Sequence, residues 1–337
     1  MAGGPCGRNG AEARGGVALI VAGPTASGKS ALALALAERL GGVVINADAM
    51  QLYRDLRVLT ARPSDADLAR APHDLYGVLP PSPPATAAWW REAALSALDH
   101  ARGERRVPIL CGGSGLYLQA LVGGLAAIPP VSDAAREEAR ARLAALGPAA
   151  LHAELAARDP ETAARLRPQD SQRIARAMEV FLATGRGLAA WQAQAAPAPA
   201  GWRFAAILLD PPREVLREAI ARRFVAMLEA GALAEVQALL AQNLDPALPL
   251  LRAHGVPELS AYLRGEISLA EARRRAELVT GQYTKRQATW FRHHRLSPEI
   301  YTIDARIDDF TQFSQRSMAD LLNFLTSAGL TPQASPA

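Results

Sequence analysis

Cysteine is nearly missing from this chain of 337 residues: Cys6 lies in a Gly- and Arg-rich opening segment and Cys111 at the end of an apolar run. Two thiols so placed suggest neither a disulfide nor a zinc site. Lysine is just as scarce. Of 37 basic residues only Lys29 and Lys285 are lysine, in a chain otherwise rich in Ala, Arg, Gly and Pro. Those two positions are therefore candidates for places that need a compact point charge rather than a planar guanidinium. No apolar run reaches the length of a membrane span, and the first residues carry no apolar stretch of the signal-peptide kind. A cytoplasmic globular protein with no membrane partner is expected. Half of the residues are hydrophobic, enough to bury a sizeable core, and a net charge of +4 is compatible with a polyanionic partner without specifying one.

Short apolar runs alternate with segments of helical period. Val17–Val21 precedes a Gly-rich turn, Ser30–Leu40 reads as a helix ended by Gly41 and Gly42, and Val43–Ile45, Val107–Cys111 and Phe204–Leu209 read as further buried strands. A helix is expected from about Trp89 to Arg102. This alternation predicts an α/β fold, a doubly wound parallel sheet of the P-loop kind. Between Ile128 and Pro199 three Ala/Arg/Leu-rich helical segments occur without a strand-like run, with Asp159 as an N-cap and Pro160 at a first helical position. The expected organisation is a disordered lead-in over residues 1–16, a core over 17–127 and 201–327, a helical insertion over 128–200 and a flexible tail over 328–337. A long helical stretch over Arg213–Gln242 and the segments from Glu258 to Arg292 are expected to return to the core.

The segment Gly23-Pro24-Thr25-Ala26-Ser27-Gly28-Lys29-Ser30 matches G-x-x-x-x-G-K-[ST] and stands between a predicted strand and a predicted helix. Glycines let backbone N–H groups close around phosphate oxygens, the helix N-terminus adds partial positive charge, and Lys29 neutralises the anion. Ser30 is the candidate Mg²⁺ ligand. The second strand runs into Asn46-Ala47-Asp48, which puts Asp48 just beyond a strand's carboxyl end, where α/β proteins bind ligands. There Asp48 could ligate magnesium, act as a base toward a phosphoryl acceptor, or deprotonate a nucleophile that attacks carbon. The run VPILC leads to Gly112-Gly113-Ser114-Gly115 rather than to a second Asp, which disfavours a nucleotide motor. That turn offers close backbone approach and a hydroxyl, with a plain tight turn as the competing reading.

These segments resemble the tRNA dimethylallyltransferases, also called tRNA isopentenyltransferases, of the bacterial type. The resemblance spans roughly Val17–Arg295. It rests on GPTASGKS, NADAMQLYRDL with Thr60-Ala61-Arg62-Pro63, Ala71-Pro72-His73, GGSGLYLQAL, QDSQRIARAMEVFLATG and QYTKRQATWFRH, in that order. The chain departs from the family's usual residues at Ala49 (Ser), Ser114 (Thr, hydroxyl kept), Arg62 (Lys), Val256 (Tyr) and Gly281 (Arg). The resemblance implies transfer of a dimethylallyl group from dimethylallyl diphosphate to N6 of an adenosine in the tRNA anticodon loop. It implies Asp48 as the base, and Lys29, Mg²⁺ on Ser30 and Arg223 opposite the pyrophosphate leaving group, with Ser114 beside them.

Contacts to the tRNA anticodon stem-loop are implied for Asp48, Ala49, Met50, Gln51 and Ser114, and for Arg136. Further contacts are implied for Gln169, Asp170, Ser171, Gln172, Arg173 and Arg176 in the insertion, and for Lys285, Arg286, Gln287 and Arg292 near the C-terminus. In that last segment Tyr283, Trp290 and Phe291 suit base stacking, while a basic helix packing its aromatics into the core is the competing reading. The target base would have to be splayed out of its stack. A P-loop small-molecule kinase and a non-catalytic RNA-binding protein are the alternatives, and a monomer is the expected state.

Overall fold

The computed structural model describes residues 15–194 and 199–331. Cys6, most of the expected lead-in, much of the APAPAG linker and the last six residues of the chain lie outside them. In chain order the elements are β1 (Gly16–Ala22), α1 (Lys29–Leu40), β2 (Gly42–Asn46), α2 (Asp65–Arg70), β3 (His73–Asp74), α3 (Ala87–Gly103), β4 (Val107–Gly112) and α4 (Gly115–Gly123). There follow α5 (Asp133–Arg158), α6 (Pro160–Ala164), α7 (Ser171–Thr184) and α8 (Leu188–Gln192). The chain ends with β5 (Trp202–Leu209), α9 (Arg213–Glu229), α10 (Ala232–Leu240), α11 (Val256–Leu263), α12 (Leu269–His293), β6 (Glu299–Ile303) and α13 (Gln315–Ser327).

The six strands form one parallel sheet in the order β3-β2-β4-β1-β5-β6. Helices cover both faces, so the central strands are apolar on both sides and read as unbroken runs. Along β1, Leu19 and Val21 pack with Leu32 and Leu36 of α1 and Leu321 of α13, while Ala18, Ile20 and Ala22 pack with Trp90 of α3, Tyr117 of α4 and Phe291 of α12. A third core, formed by Tyr53, Leu56, Phe224, Met227, Val236 and Leu259, joins the loop after β2 to α9, α10 and α11. Register sets the functional end: Ala22 of β1 aligns with Gly112 of β4, and Asn46 of β2 with Cys111. Three loops therefore leave the sheet side by side at its carboxyl edge, the place where such sheets bind ligands.

The described chain separates into two compact units, residues 15–122 with 199–331 and residues 123–194. The second begins before the expected Ile128, where α4 ends. It is all helix among the described residues. Its core of Ala139, Leu151, Leu155, Ile174 and Met178 joins α5 to α7, and α5 is interrupted at Gly147 (φ 74°) ahead of Pro148. Asp159 caps α6 through a bond from Thr162 N–H at 3.2 Å, with Pro160 at its first position.

Elsewhere the boundaries move. The expected helix over Arg213–Gln242 is two helices, because Gly231 stands at φ 98° between them. Gly16 already belongs to β1, its N–H donating to Gly201 O at 2.8 Å. At the other end Ala328 and Leu330 are buried, so the packed chain runs past Ser327 into the segment expected to be flexible from residue 328. Leu330 anchors this turn through its N–H to Leu325 O at 2.8 Å.

Candidate active site

The phosphate loop turns between β1 and α1 through left-handed backbone at Ala26 (φ 66°) and Gly28 (φ 93°). Gly28 must be glycine for a second reason: a Cβ there would lie 1.8 Å from Ile307 O, where the segment after β6 crosses behind the loop. That segment binds the loop in two places, Ile307 N–H to Ser27 O at 3.1 Å and Arg306 Nε to Ala26 O at 3.1 Å. The first i→i−4 bond of α1 is Leu32 N–H to Gly28 O. The N–H groups of Gly28, Lys29 and Ser30 thus open the helix without partners inside it, as an anion site requires.

Asp48 stands two residues beyond β2. Asn46 builds this turn: its Oδ1 accepts from Asp48 N–H at 2.8 Å and its Nδ2 donates to Asp48 O and Leu75 O, both at 3.0 Å. Asp48 Oδ1 accepts from Met50 N–H at 3.0 Å, and among the described residues no protein donor occupies Oδ2. Ser114 approaches from the turn after β4, its Oγ accepting from Ala49 N–H at 3.0 Å and its N–H donating to Ala47 O at 3.2 Å. Gly112 permits this contact, since a Cβ there would lie 2.0 Å from Ala47 O.

Lys29, Ser30, Asp48, Gln51, Arg223 and Arg306 line one cavity of about 580 Å³ together with Thr25, Gly28 and Thr60. A larger cavity of about 730 Å³, on the outer side of α1, shares Ser30 and Arg62 but contains neither Lys29 nor Asp48. The smaller one is the candidate site, because it brings Lys29, Asp48 and Arg223 together beside the phosphate loop. Lys29 is 9% exposed. Burial lowers its pKa, against the attraction of Asp48, and the Arg223 guanidinium lowers it further. Burial also lowers the Arg223 pKa, again opposed by Asp48. Lys29, Arg223 and Asp48 therefore share a poorly solvated part of the cavity that is short of negative charge. The Cys111 thiol beneath it is pushed up to about 11, chiefly by burial, and stays protonated.

On α12 the side chains divide. Lys285 and Arg286 are exposed, the latter 5.7 Å from the Tyr283 ring, and Tyr283 meets His254 at 4.9 Å. Burial raises the Tyr283 hydroxyl to about 12, with Asp48 adding to the shift, so this ring stands within electrostatic reach of the carboxylate. Gln287 is turned into the interior and bonded to Thr25 and Gly113. This differs from its expected place among the RNA contacts. Arg292 is held in a bidentate pair with Asp210 at 2.8 and 2.9 Å. Phe291 is core, and Trp290 lies over Gly115 and stacks on His294 at 4.2 Å. For these two aromatics the core-packing reading holds rather than base stacking, since their ring faces are already covered.

Family comparisons agree with this geometry. The model of the IPP transferase family matches residues 51–294, and that of isopentenyl transferase matches residues 16–73. The tRNA dimethylallyltransferase of Granulibacter bethesdensis is 63% identical over 310 residues, 91% of this chain and 97% of that protein. That of Acidiphilium cryptum is 61% identical over 309 residues, 91% of this chain and 94% of its own. The chain belongs to the tRNA dimethylallyltransferase family. The crystal structure of the full-length tRNA isopentenylpyrophosphate transferase from Bacillus halodurans superposes with a TM-score of 0.64 at 29% identity, covering 93% of this chain and 96% of that one. A eukaryotic dimethylallyltransferase shares the fold at a TM-score of 0.76 and 23% identity, covering 95% of this chain and 81% of that one.

The remaining positions implied by the family resemblance fall as follows. Gln51 Nε2 donates to Thr60 O and Ala61 O at 2.9 and 3.0 Å, which ties the TARP segment to the Asp48 turn. In the helical unit Asp170 caps α7 by accepting from Arg173 N–H at 3.3 Å. Gln169, Ser171, Gln172, Arg173 and Arg176 are exposed there. Arg173 and Arg176 are each paired on their own helix, with Asp170 at 3.5 Å and Glu179 at 3.0 Å, and Arg136 of α5 with Asp133 at 3.0 Å. Of the departures, Val256 is 1% exposed core behind Gly255, and Gly281 leaves open space on α12. Sequence reasoning missed Asn46 and Arg306. The segment around Arg306 has no pattern to mark it, whereas Asn46 directly before Ala-Asp is a residue type that builds such turns.

Proposed function

We propose that the chain transfers the dimethylallyl group of dimethylallyl diphosphate to N6 of the adenosine 3′-adjacent to the anticodon, giving N6-isopentenyladenosine and pyrophosphate. The observation that carries this is the meeting of a phosphate loop, Lys29, Arg223 and Asp48 around one cavity in a chain of this family. The exocyclic amine is a weak nucleophile because its lone pair is delocalised. Asp48 accepts the N6 proton as the C–N bond forms. The loop N–H groups, Lys29 and Arg223 stabilise the pyrophosphate as the C–O bond breaks.

Magnesium suits this site, because Mg²⁺ keeps several waters and takes few protein ligands beside phosphate oxygens. Ser30 would hold it, and it would share in neutralising the leaving group. Arg136, Gln169, Gln172, Arg173 and Arg176 on the helical unit, with Lys285 and Arg286 on α12, take the anticodon stem-loop. The enzyme works as a cytoplasmic monomer. No described helix is long and apolar enough to cross a membrane.

Purified protein incubated with tRNA and labelled dimethylallyl diphosphate tests the reading. Label is expected in tRNA and, after digestion, in N6-isopentenyladenosine. Transfer from γ-labelled ATP to a small molecule, with unlabelled tRNA, would instead identify a kinase.

Replacing Arg173 and Arg176 together by alanine is expected to weaken tRNA binding and flatten its salt dependence. Each lost phosphate contact lowers the slope of log K against log salt by roughly 0.7 to 0.9. Asp170 is an exposed partner whose pairing is worth little, and although Glu179 is largely covered, the guanidiniums of Arg173 and Arg176 both face solvent and can reach phosphate. An unchanged slope would mean that these arginines only coat α7.

A further inference from the structure

Gln287 sits on α12 in the middle of its basic segment, yet it is 5% exposed. Its Oε1 accepts from Thr25 N–H at 2.9 Å and from the Thr25 hydroxyl at 3.1 Å, and its Nε2 donates to Gly113 O at 2.9 Å. The amide orientation follows from its partners, since a backbone N–H needs an acceptor and a carbonyl needs a donor. Thr25 belongs to the phosphate loop. Gly113 precedes Ser114, whose Oγ takes the N–H of Ala49 beside Asp48. One carboxamide thus stands between the loop that would hold the leaving group and the turn that carries the base.

The close approach is built from both sides. A Cβ on Gly113 would lie 2.3 Å from Gln287 Nε2, and one on Gly115 would lie 2.3 Å from the Trp290 ring, the next inward residue of the same helix face. Two glycines therefore let α12 press directly on this turn. The residue type is also restrictive. Glutamate keeps the acceptor toward Thr25 but loses the donor toward Gly113 and adds negative charge beside a diphosphate. Methionine keeps the length and loses both bonds.

We infer that Gln287 is a positioning residue: by joining Thr25 to Gly113 it sets the separation of the phosphate loop from the Ser114–Asp48 turn, and so the alignment of the breaking C–O bond with the incoming N6. This rests on the prenyl-transfer reading. It also separates Gln287 from its exposed neighbours Lys285 and Arg286, which are left to the RNA.

The test compares Gln287→Met, Gln287→Glu and Gly113→Ala with the parent in transfer kinetics, affinity for inorganic pyrophosphate, tRNA affinity and thermal midpoint. For Gln287→Met, kcat is expected to fall roughly 10- to 100-fold, the scale of a misplacement near 1 Å. Pyrophosphate binding should weaken several-fold while tRNA affinity stays within about twofold. Gly113→Ala, which displaces the same carboxamide from the other side, should reproduce this pattern. Gln287→Glu should recover relative to the parent as pH falls from about 8 toward about 5, because a buried glutamic acid protonates readily and then both donates and accepts.

Parental kcat and pyrophosphate affinity in Gln287→Met, or a loss confined to tRNA affinity, would overturn the inference while leaving prenyl transfer intact. An inactive parent would instead remove the prenyl-transfer reading, and pyrophosphate affinity would still report whether Gln287 shapes the loop. Should Gln287→Met fold poorly, Gly113→Ala and the pH profile of Gln287→Glu decide the matter.

Discussion

Lys29→Ala is expected to bring transfer below detection, a loss of at least roughly 10³-fold, while tRNA affinity stays close to that of the parent. Lys29 opens α1 inside the phosphate cavity, with Asp48 and Arg223 as its charged neighbours. The exposed arginines of the helical unit are a separate set of groups. Arginine should not restore activity. Lys29 is 9% exposed, so its own position is closely packed, and a planar fork cannot take the place of a compact ammonium there. A second measurement separates lost chemistry from lost structure. Burial holds the Lys29 ammonium below its ordinary value of 10.5, so the charged form is worse off in the folded protein than in the unfolded chain. That penalty is present at pH 7 and fades as pH rises toward the unfolded value. Lys29→Met should therefore melt at a higher temperature than the parent at pH 7, with the difference shrinking near pH 10. An inactive variant that also melts earlier would point to misfolding, and one with the parent's transfer rate would remove Lys29 from the donor site.

Legibility from sequence followed burial. The central strands β1, β2, β4 and β5 have both faces covered, so Val17–Val21, Val43–Ile45, Val107–Cys111 and Phe204–Leu209 stand out as apolar runs. The edge strands were illegible: β3 is only His73–Asp74, and β6 mixes Glu299, Tyr301 and Thr302 into a half-covered strand. The phosphate loop and Asp48 could be read because their chemistry is local, a glycine pattern and a carboxylate at a strand's end. Gln287 could not. Its role depends on bonds to residues 262 and 174 positions away, and nothing in the surrounding Lys-Arg-Gln names those partners. The same holds for Arg306, brought to the cavity by the return of the chain after β6. In the basic-aromatic segment composition left RNA contact and core packing both open, and helical periodicity sends Gln287 and Phe291 to one face and Lys285 and Arg286 to the other.

Asp48→Asn preserves the shape of the turn, since Asn46 sets the backbone and an amide oxygen can still accept from Met50 N–H. What it removes is the group that takes the proton from N6. Turnover is expected to fall by roughly 10²- to 10⁴-fold, the usual contribution of a positioned general base. Donor and tRNA affinities should change by less than about tenfold, because a group acting mainly in the transition state affects rate more than ground-state binding. Electrostatics sharpen the expectation. Asp48 offsets the burial of both Lys29 and Arg223, so its loss leaves two cations facing the donor alone, and diphosphate affinity should rise slightly rather than fall. A magnesium ligand would behave in the opposite way. Its removal would weaken diphosphate binding, and raised Mg²⁺ would partly restore the rate. Donor affinity measured with pyrophosphate across a Mg²⁺ titration distinguishes the two roles, and near-parental single-turnover transfer by Asp48→Asn at saturating substrates would rule out both. In that event the one other carboxylate among the described residues that line the site is Asp65, which is paired with Arg57 at 2.5 Å, and proton removal would have to pass to solvent.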